Sequence, residues 1–330
     1  MKKALVIGID NYLHHPLTGC VNDAAEVASI IETHGDGSKN FDVYRLLSDE
    51  VSVTNSILSE HINKLFSRDQ KHVLLYFAGH GIINPDTNAG YIVSQNGTKG
   101  SWGISLPEII GLANGAYPRI NATTIILDSC HSGFAGEVTA LGPTAISAIG
   151  PGVTILAACH RSETADEVNG HGVFTNLLLN ALRGGASDLT GHITPGGIYA
   201  YIDQALGEWD QRPVFKTNVS RSLPLRKIDP VVPLNILREI PKYFPKPEQE
   251  YKLDPSFEDT NSVTVEHKVI EPYANDENVS IFKNLQKLQS VGLVIPVDTE
   301  FMYFAAMESK SCKLSSLGCH YWRLANEKRI

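Results

Sequence analysis

The sequence predicts an α/β fold: a largely parallel central sheet flanked by helices, with a small second unit after it. Three observations predict this. Short, wholly apolar runs alternate with segments of helical period over residues 1 to 220. The apolar runs are too short for helices and lack the alternation of a half-solvated strand, so they read as strands buried on both faces. Beyond them, seven of the 17 prolines crowd between Pro224 and Pro255, and periodic segments then resume.

In chain order, KALVIGI is the first strand. Residues 22–32 form a helix, with Ala24, Val27, Ala28 and Ile31 on one face. DVYRLL is the second strand. Residues 54–66 form a helix through Ile57, Leu58, Ile62 and Leu65. HVLLYFA is the third strand, and residues 105–113 form a helix. ATTIILD and VTILAAC are the fourth and fifth strands. Residues 174–182 are helical and stop at Gly184 and Gly185. Residues 194–206 form another helix, and RPVFKTN is the last strand. The boundaries expected are a first domain over 1–220, a poorly structured Pro-rich connector over 221–265 with one short helix near Leu234–Glu239, and a small domain over 266–330. In that small domain Phe282–Gln289 reads as a helix, LVIPV and MYFAAMES as strands, and Leu314–Asn326 as a helix. This order resembles a winged helix. Acidic and basic side chains balance there, so a protein-docking or sensing role is expected rather than DNA binding.

Composition excludes several classes. With 42% hydrophobic and 19% charged residues the chain can fill a core, so it is neither disordered nor collagenous. The net charge of -8 leaves no basic footprint for nucleic acid or an anionic membrane. No apolar run reaches membrane-spanning length, and MKKALVIGID meets Asp10 too soon for a signal peptide. The five cysteines form no CxxC pair, which points to free thiols in a reducing, cytoplasmic setting. The Gly-rich stretches contain neither a P-loop nor GxGxxG after the first strand, which argues against a nucleotide-binding protein.

In parallel α/β sheets chemistry gathers beyond the carboxyl ends of the strands. Two such ends carry reactive residues. AGHG (Ala78–Gly81) follows HVLLYF, and DSCHSG (Asp128–Gly133) follows TTIIL. A thiol nucleophile needs a base that can also protonate a leaving amine, and histidine does both near neutral pH. It also needs N–H groups aimed at the developing oxyanion. His80 between two glycines and Cys130 before His131, Ser132 and Gly133 supply these parts. Each residue alone reads equally as structural: a small buried thiol, a loop histidine. Together the two loops point to a site. Asp128, two residues before Cys130, projects on the same side of the chain and would be neutralised by a substrate Arg or Lys. Arg would do this through two parallel hydrogen bonds. Asp128 also reads as a strand-end cap, and Asp23 as a first-turn helix charge. His171 in NGHG reads as a turn residue. Cys312 and Cys319 read as structural.

YFAGHG and ILDSCHSG resemble the His and Cys motifs of the caspase-like cysteine peptidases, peptidase family C14. GCVND (Gly19–Asp23) is similar to the segment after the first strand in the metacaspase and bacterial caspase-like branch. The likeness spans about residues 3–220, and the fifty-residue step from His80 to Cys130 is itself a caspase spacing. It implies a caspase–haemoglobinase sandwich and a cysteine endopeptidase acting on protein substrates. Carried over, Cys130 is the nucleophile and His80 the general acid/base. The N–H groups of Gly81 and Cys130 form the oxyanion hole. Asp128 and Asp23 are the acidic residues of the S1 pocket, and Cys20 lines it. The Ser that often precedes GHG in metacaspases is Ala78 here, so one polar contact of that pocket is missing. True caspases cut after Asp and need pocket arginines, yet the first arginine here is Arg45 and QACRG is absent. Cleavage after Arg or Lys is therefore implied. A non-basic P1 preference on the same fold and a catalytically silent scaffold are the alternatives. The charged stretch ACHRSETADE (Ala158–Glu167) matches a family region lining the substrate groove, or is a solvated loop.

Caspases commonly mature by a cut between the nucleophile and the next strand. Residues 131–160 contain no Lys, Arg or Asp, so self-processing there is not open to an enzyme cutting after basic residues. The catalytic unit is expected to act as one chain. Many metacaspases need calcium held by an Asp cluster. Glu137 matches one ligand position, and one ligand does not make a site, so Ca2+ enters only as a candidate activator. The small C-terminal domain is the candidate contact for a regulatory protein partner. A role in microbial cell death or defence follows from analogy with the family alone.

Overall fold

The computed structural model describes residues 1–129, 137–138, 146–147, 149–158, 167–168, 171–206, 213–259 and 265–330. The chain divides into two compact units, Met1–Ile228 and Asp229–Ile330. In the first, β1 (Lys2–Gly8), α1 (Cys20–Glu32), β2 (Asp42–Leu47), α2 (Asn55–Phe66) and β3 (His72–Ala78) follow the expected alternation. Next come β4 (Gly81–Ile83), β5 (Gly90–Thr98), β6 (Ser101–Ser105), α3 (Leu106–Ala116) and β7 (Thr123–Asp128). Then follow β8 (Glu137–Val138), β9 (Ile146–Ser147), β10 (Val153–Ala157), β11 (Glu167–Val168), β12 (His171–Gly172) and α4 (Val173–Asn180). The unit ends with β13 (His192–Ile193), α5 (Pro195–Ala205), β14 (Val214–Asn218) and β15 (Arg226–Lys227).

The main sheet has the order β14-β10-β7-β3-β1-β2. All its pairs are parallel except β10 with β14. Its central strands are mostly apolar because both faces are covered. α2 and α3 pack on Leu5, Ile7, Leu75, Phe77, Ile125 and Leu127. α1, α4 and α5 pack on the alternate residues Val6, Leu74, Tyr76 and Ile126. Pairing of Gly8 with both Leu47 and Ala78, and of Ala78 with Asp128, brings four strand ends level. The residues that leave those ends therefore emerge side by side.

The small antiparallel sheet β4-β5-β6 was not expected from the sequence. Its burial alternates only along the first half of β5, and its strands carry Gly90, Gly97 and Gly103. That leaves no apolar run to read.

Two expectations for the C-terminal region are corrected. The stretch 221–265 is not a poorly structured connector, apart from residues 260–264, which lie outside the described residues. Residues 221–228 complete the first unit, where β15 pairs with β13 and Arg226 donates to the Thr33 carbonyl. Residues 229–259 build the second unit through α6 (Leu234–Tyr243), β16 (Tyr251–Lys252) and a 3-10 turn at Pro255–Phe257. The prolines fall largely where no N–H is needed. Pro233 caps α6 and Pro255 opens the turn, while Ile236, Leu237 and Ile240 give α6 a buried face. The second correction concerns the winged helix. The order is α7 (Asp276–Ser290), β17 (Val294–Val297), α8 (Met302–Met307), β18 (Ser311–Leu314) and α9 (Ser316–Asn326). MYFAAM is thus a helix, because Met302, Ala305 and Ala306 share one buried face at helical spacing. The sheet is β16-β18-β17, antiparallel throughout. Among the described residues no helix is long and apolar enough to cross a membrane.

Candidate active site

The level strand ends deliver the predicted residues to one edge of the sheet. His80 stands two residues beyond Ala78 on β3, and Ser129 follows Asp128 on the adjacent β7. Cys130 itself lies outside the described residues, as do His131 to Gly133. Glu137 belongs to β8, without a described side chain.

His80 is fixed on two sides. Its Nε2 lies 2.6 Å from the His15 carbonyl oxygen. A carbonyl can only accept, so Nε2 carries a proton, and in the neutral ring Nδ1 is then the acceptor. Its backbone N–H donates to the Tyr12 hydroxyl at 3.0 Å, and that hydroxyl donates to the Val93 carbonyl at 3.1 Å. The Tyr12 and His80 rings pack with centroids 4.5 Å apart. Burial raises the Tyr12 pKa strongly, so the hydroxyl stays protonated. Gly79 makes this approach possible: a Cβ there would come within 2.5 Å of the Tyr12 oxygen. Gly81 begins β4 and pairs with Ile92.

Asp10, two residues past β1, caps α1. Its carboxylate accepts from the N–H groups of Cys20 at 2.9 Å and Val21 at 3.1 Å, where Gly19 offers no side chain. Gly8 lets this first turn sit on the strand, since a Cβ there would meet the Cys20 carbonyl at 2.4 Å. Cys20 and Asp23 are thereby drawn to the site. Burial raises the Cys20 thiol, and the charges of Asp10, Asp128 and Asp23 add to the effect. Cys20 therefore remains a neutral thiol and cannot compete as a nucleophile.

The Asp128 carboxylate accepts a 2.6 Å hydrogen bond from the Thr175 hydroxyl, which in turn takes one from the buried Tyr76 hydroxyl at 2.6 Å. Asp23 is 3% exposed, so its charge cannot be met by water. Its pKa is held above the usual carboxylate range by burial; the hydrogen bond to His171 opposes that, and Asp128 adds to it. His171 Nδ1 lies 2.5 Å from Asp23 Oδ1, and the Gly172 N–H donates to Asp23 Oδ2 at 3.3 Å. His171 is therefore not the turn residue expected; it belongs to β12 and faces α1. Sequence reasoning also missed Asp10, Tyr12 and Thr175. Asp10 and Tyr12 follow a strand end and were open to the same rule that found His80. His171 and Thr175 carry no local signal.

The expected pocket residues Asp23, Asp128 and Cys20 are thus brought together, with His80 on the neighbouring strand end. Among the described residues no three His, Cys, Asp or Glu side chains come together to hold a metal ion. The described donors do not fit a calcium site. Cys312 is buried in β18, and the Cys319 thiol lies 3.8 Å from the Pro247 carbonyl. Most of Ala158–Glu167 lies outside the described residues.

The family model of the caspase domain, Peptidase_C14, matches residues 1–221, and the chain belongs to this family of cysteine peptidases. Its fold is accordingly the caspase-like α/β sandwich. A crystal structure of protein GSU0716 from Geobacter sulfurreducens is similar at 17% identity and a TM-score of 0.49, over 69% of this chain and 97% of that one. A structure of pro-sf-caspase-1 is similar at 11% identity and a TM-score of 0.46, over 68% and 90% of the two chains. No curated protein matches the sequence.

Proposed function

We propose that this caspase-domain protein is an endopeptidase cutting after Arg or Lys, with Cys130 as nucleophile and His80 as general acid/base. The observation that carries the basic preference is the meeting of Asp23 and Asp128 at one edge of the sheet. A methyl group built on Gly172 would lie 3.3 Å from Asp128 Oδ2 and 3.5 Å from Asp23 Oδ2. Two carboxylates in so dry a place favour a cationic partner, and a guanidinium offers each of them an N–H.

In the reaction, His80 Nδ1 takes the Cys130 thiol proton and the sulfur adds to the scissile carbonyl carbon. The oxyanion is met by the N–H groups of Gly81 and Cys130. The carbon–nitrogen bond then breaks, with His80 giving its proton to the leaving amine, and water hydrolyses the thioester by the reverse proton path. The His15 carbonyl holds the ring in the tautomer this needs. The second unit is proposed as the docking site for a regulatory protein, and the enzyme as a triggered effector in cell death or defence. A chain ending at Ile228 with both activity and regulation unchanged contradicts the docking role.

The test is a P1 series of fluorogenic peptides given to wild type and Cys130→Ala, with and without calcium. Cleavage after Arg or Lys that vanishes in Cys130→Ala is expected. Cleavage after Asp or Asn, or cleavage that survives the substitution, contradicts the proposal.

A further inference from the structure

His171 and Gly172 pass directly beside the two carboxylates assigned to a basic P1 side chain. The His171 ring is held at both nitrogens. Nδ1 lies 2.5 Å from Asp23 Oδ1 and Nε2 2.8 Å from Glu26 Oε2. Asn22 Nδ2 is 3.4 Å from each nitrogen. Glu26 is itself paired with Arg183. Each short contact has a proton on its line, carried by the ring or by a carboxyl, and burial raises the Asp23 pKa. Asp23 Oδ1 is therefore already taken from within the chain. The contact is shielded, with side-chain exposures of 13% for His171 and 4% for Asp23. In such surroundings a short hydrogen bond is strong.

We infer that His171 is a built-in occupant of the pocket for basic side chains, and that a substrate cation gains Asp23 only by displacing it. The inference rests on the reading of Asp23 and Asp128 as the P1 contacts. It deepens that reading into an order of preference. An Arg side chain presents several N–H groups in a fixed plane and can bridge Asp23 and Asp128 at once. A Lys side chain is a point charge that can settle on Asp128 and leave His171 in place. Arg should therefore be preferred over Lys, and removing His171, which only Arg has to displace, should widen the gap.

The test uses the full chain and benzamidine, whose amidinium stands in for an Arg side chain. Calorimetric titration compares Cys130→Ala alone with the same protein carrying His171→Ala or Glu26→Gln. In parallel, KM and kcat for Arg and Lys peptides are measured on the variants with Cys130 intact. Relief from displacing this buried hydrogen bond predicts roughly tenfold tighter benzamidine binding in His171→Ala, with a similar fall in KM and little change in kcat. Glu26→Gln, which loosens the hold on Nε2, shifts both in the same direction by a smaller factor. A merely structural role would weaken binding instead. Should His171→Ala fail to fold by circular dichroism, His171→Gln takes its place, since it keeps a polar side chain of similar reach without the ring. Unchanged or weaker binding, in a protein that cleaves after Arg, overturns the inference and leaves the basic specificity standing. No benzamidine binding in any variant together with no cleavage after Arg or Lys overturns the specificity and the inference with it. If benzamidine alone fails to bind, the KM comparison decides.

Discussion

The Tyr12 hydroxyl sits between two backbone groups, accepting from His80 and donating to Val93. Tyr12→Phe strands both in a buried place. It is expected to lower stability by about 1–3 kcal/mol in urea unfolding. It should also lower kcat on Arg peptides about tenfold while KM changes little, because the proposed general base and not the pocket is disturbed. Asp128→Asn should do the reverse. Losing one half of a shielded charge pair predicts a fall in kcat/KM of roughly a hundredfold for Arg and Lys substrates, most of it in KM. At this scale the sequence was partly legible. Glycine-flanked His80 and Asp-x-Cys stand out because a thiol nucleophile and its base are residue types expected together at strand ends. The His171–Asp23 contact does not, since it joins residues 148 positions apart through a short strand pair whose register no local pattern records.

Strand β3 carries His80 just beyond one end and His72 at the other. His72 is 1% exposed; its Nε2 meets the Thr124 hydroxyl at 3.0 Å, while Nδ1 has no partner among the described residues. Burial, with Lys2 adding, lowers its pKa from 6.5 to about 3. The native state thus keeps His72 neutral where the unfolded chain binds a proton. Its contribution is present above pH 6.5 and is lost as pH falls from 6.5 toward 3. Two pH units inside that window correspond to about 3 kcal/mol. Urea unfolding at pH 6.5 and 4.5 should show this loss in wild type and a smaller one in His72→Gln. An equal loss in both contradicts the assignment. The buried elements were the most legible part of the fold, because parallel strands covered on both faces read as unbroken apolar runs. β4–β6 and α8 were not. The first lacks such a run, and in the second a helical face of Met and Ala passes for strand in so short a segment.

For the molecule as a whole, the proposed basic specificity implies a catalytic unit that stays in one piece. Residues 131–160 contain no Lys, Arg or Asp, so no cut after a basic residue separates Cys130 from β10. Protein recovered after prolonged turnover on an Arg substrate should show no new terminus in that range by mass spectrometry. A terminus there that depends on Cys130 contradicts the basic specificity. The proline cluster reads as a connector, whereas the second unit begins at Asp229, inside that cluster. Proline density marks missing N–H donors, and a capping or turn-opening proline uses none.

The central claim joins one nucleophile to one acidic pocket, and covalent labelling tests both together. Wild type, His80→Ala and Asp128→Asn are treated with an arginyl and an aspartyl peptide electrophile, and the adducts are mapped by mass spectrometry. A single arginyl adduct on Cys130, lost in His80→Ala and much reduced in Asp128→Asn, is the predicted result. An adduct on Cys20 or another cysteine, or preference for the aspartyl reagent, would contradict the account.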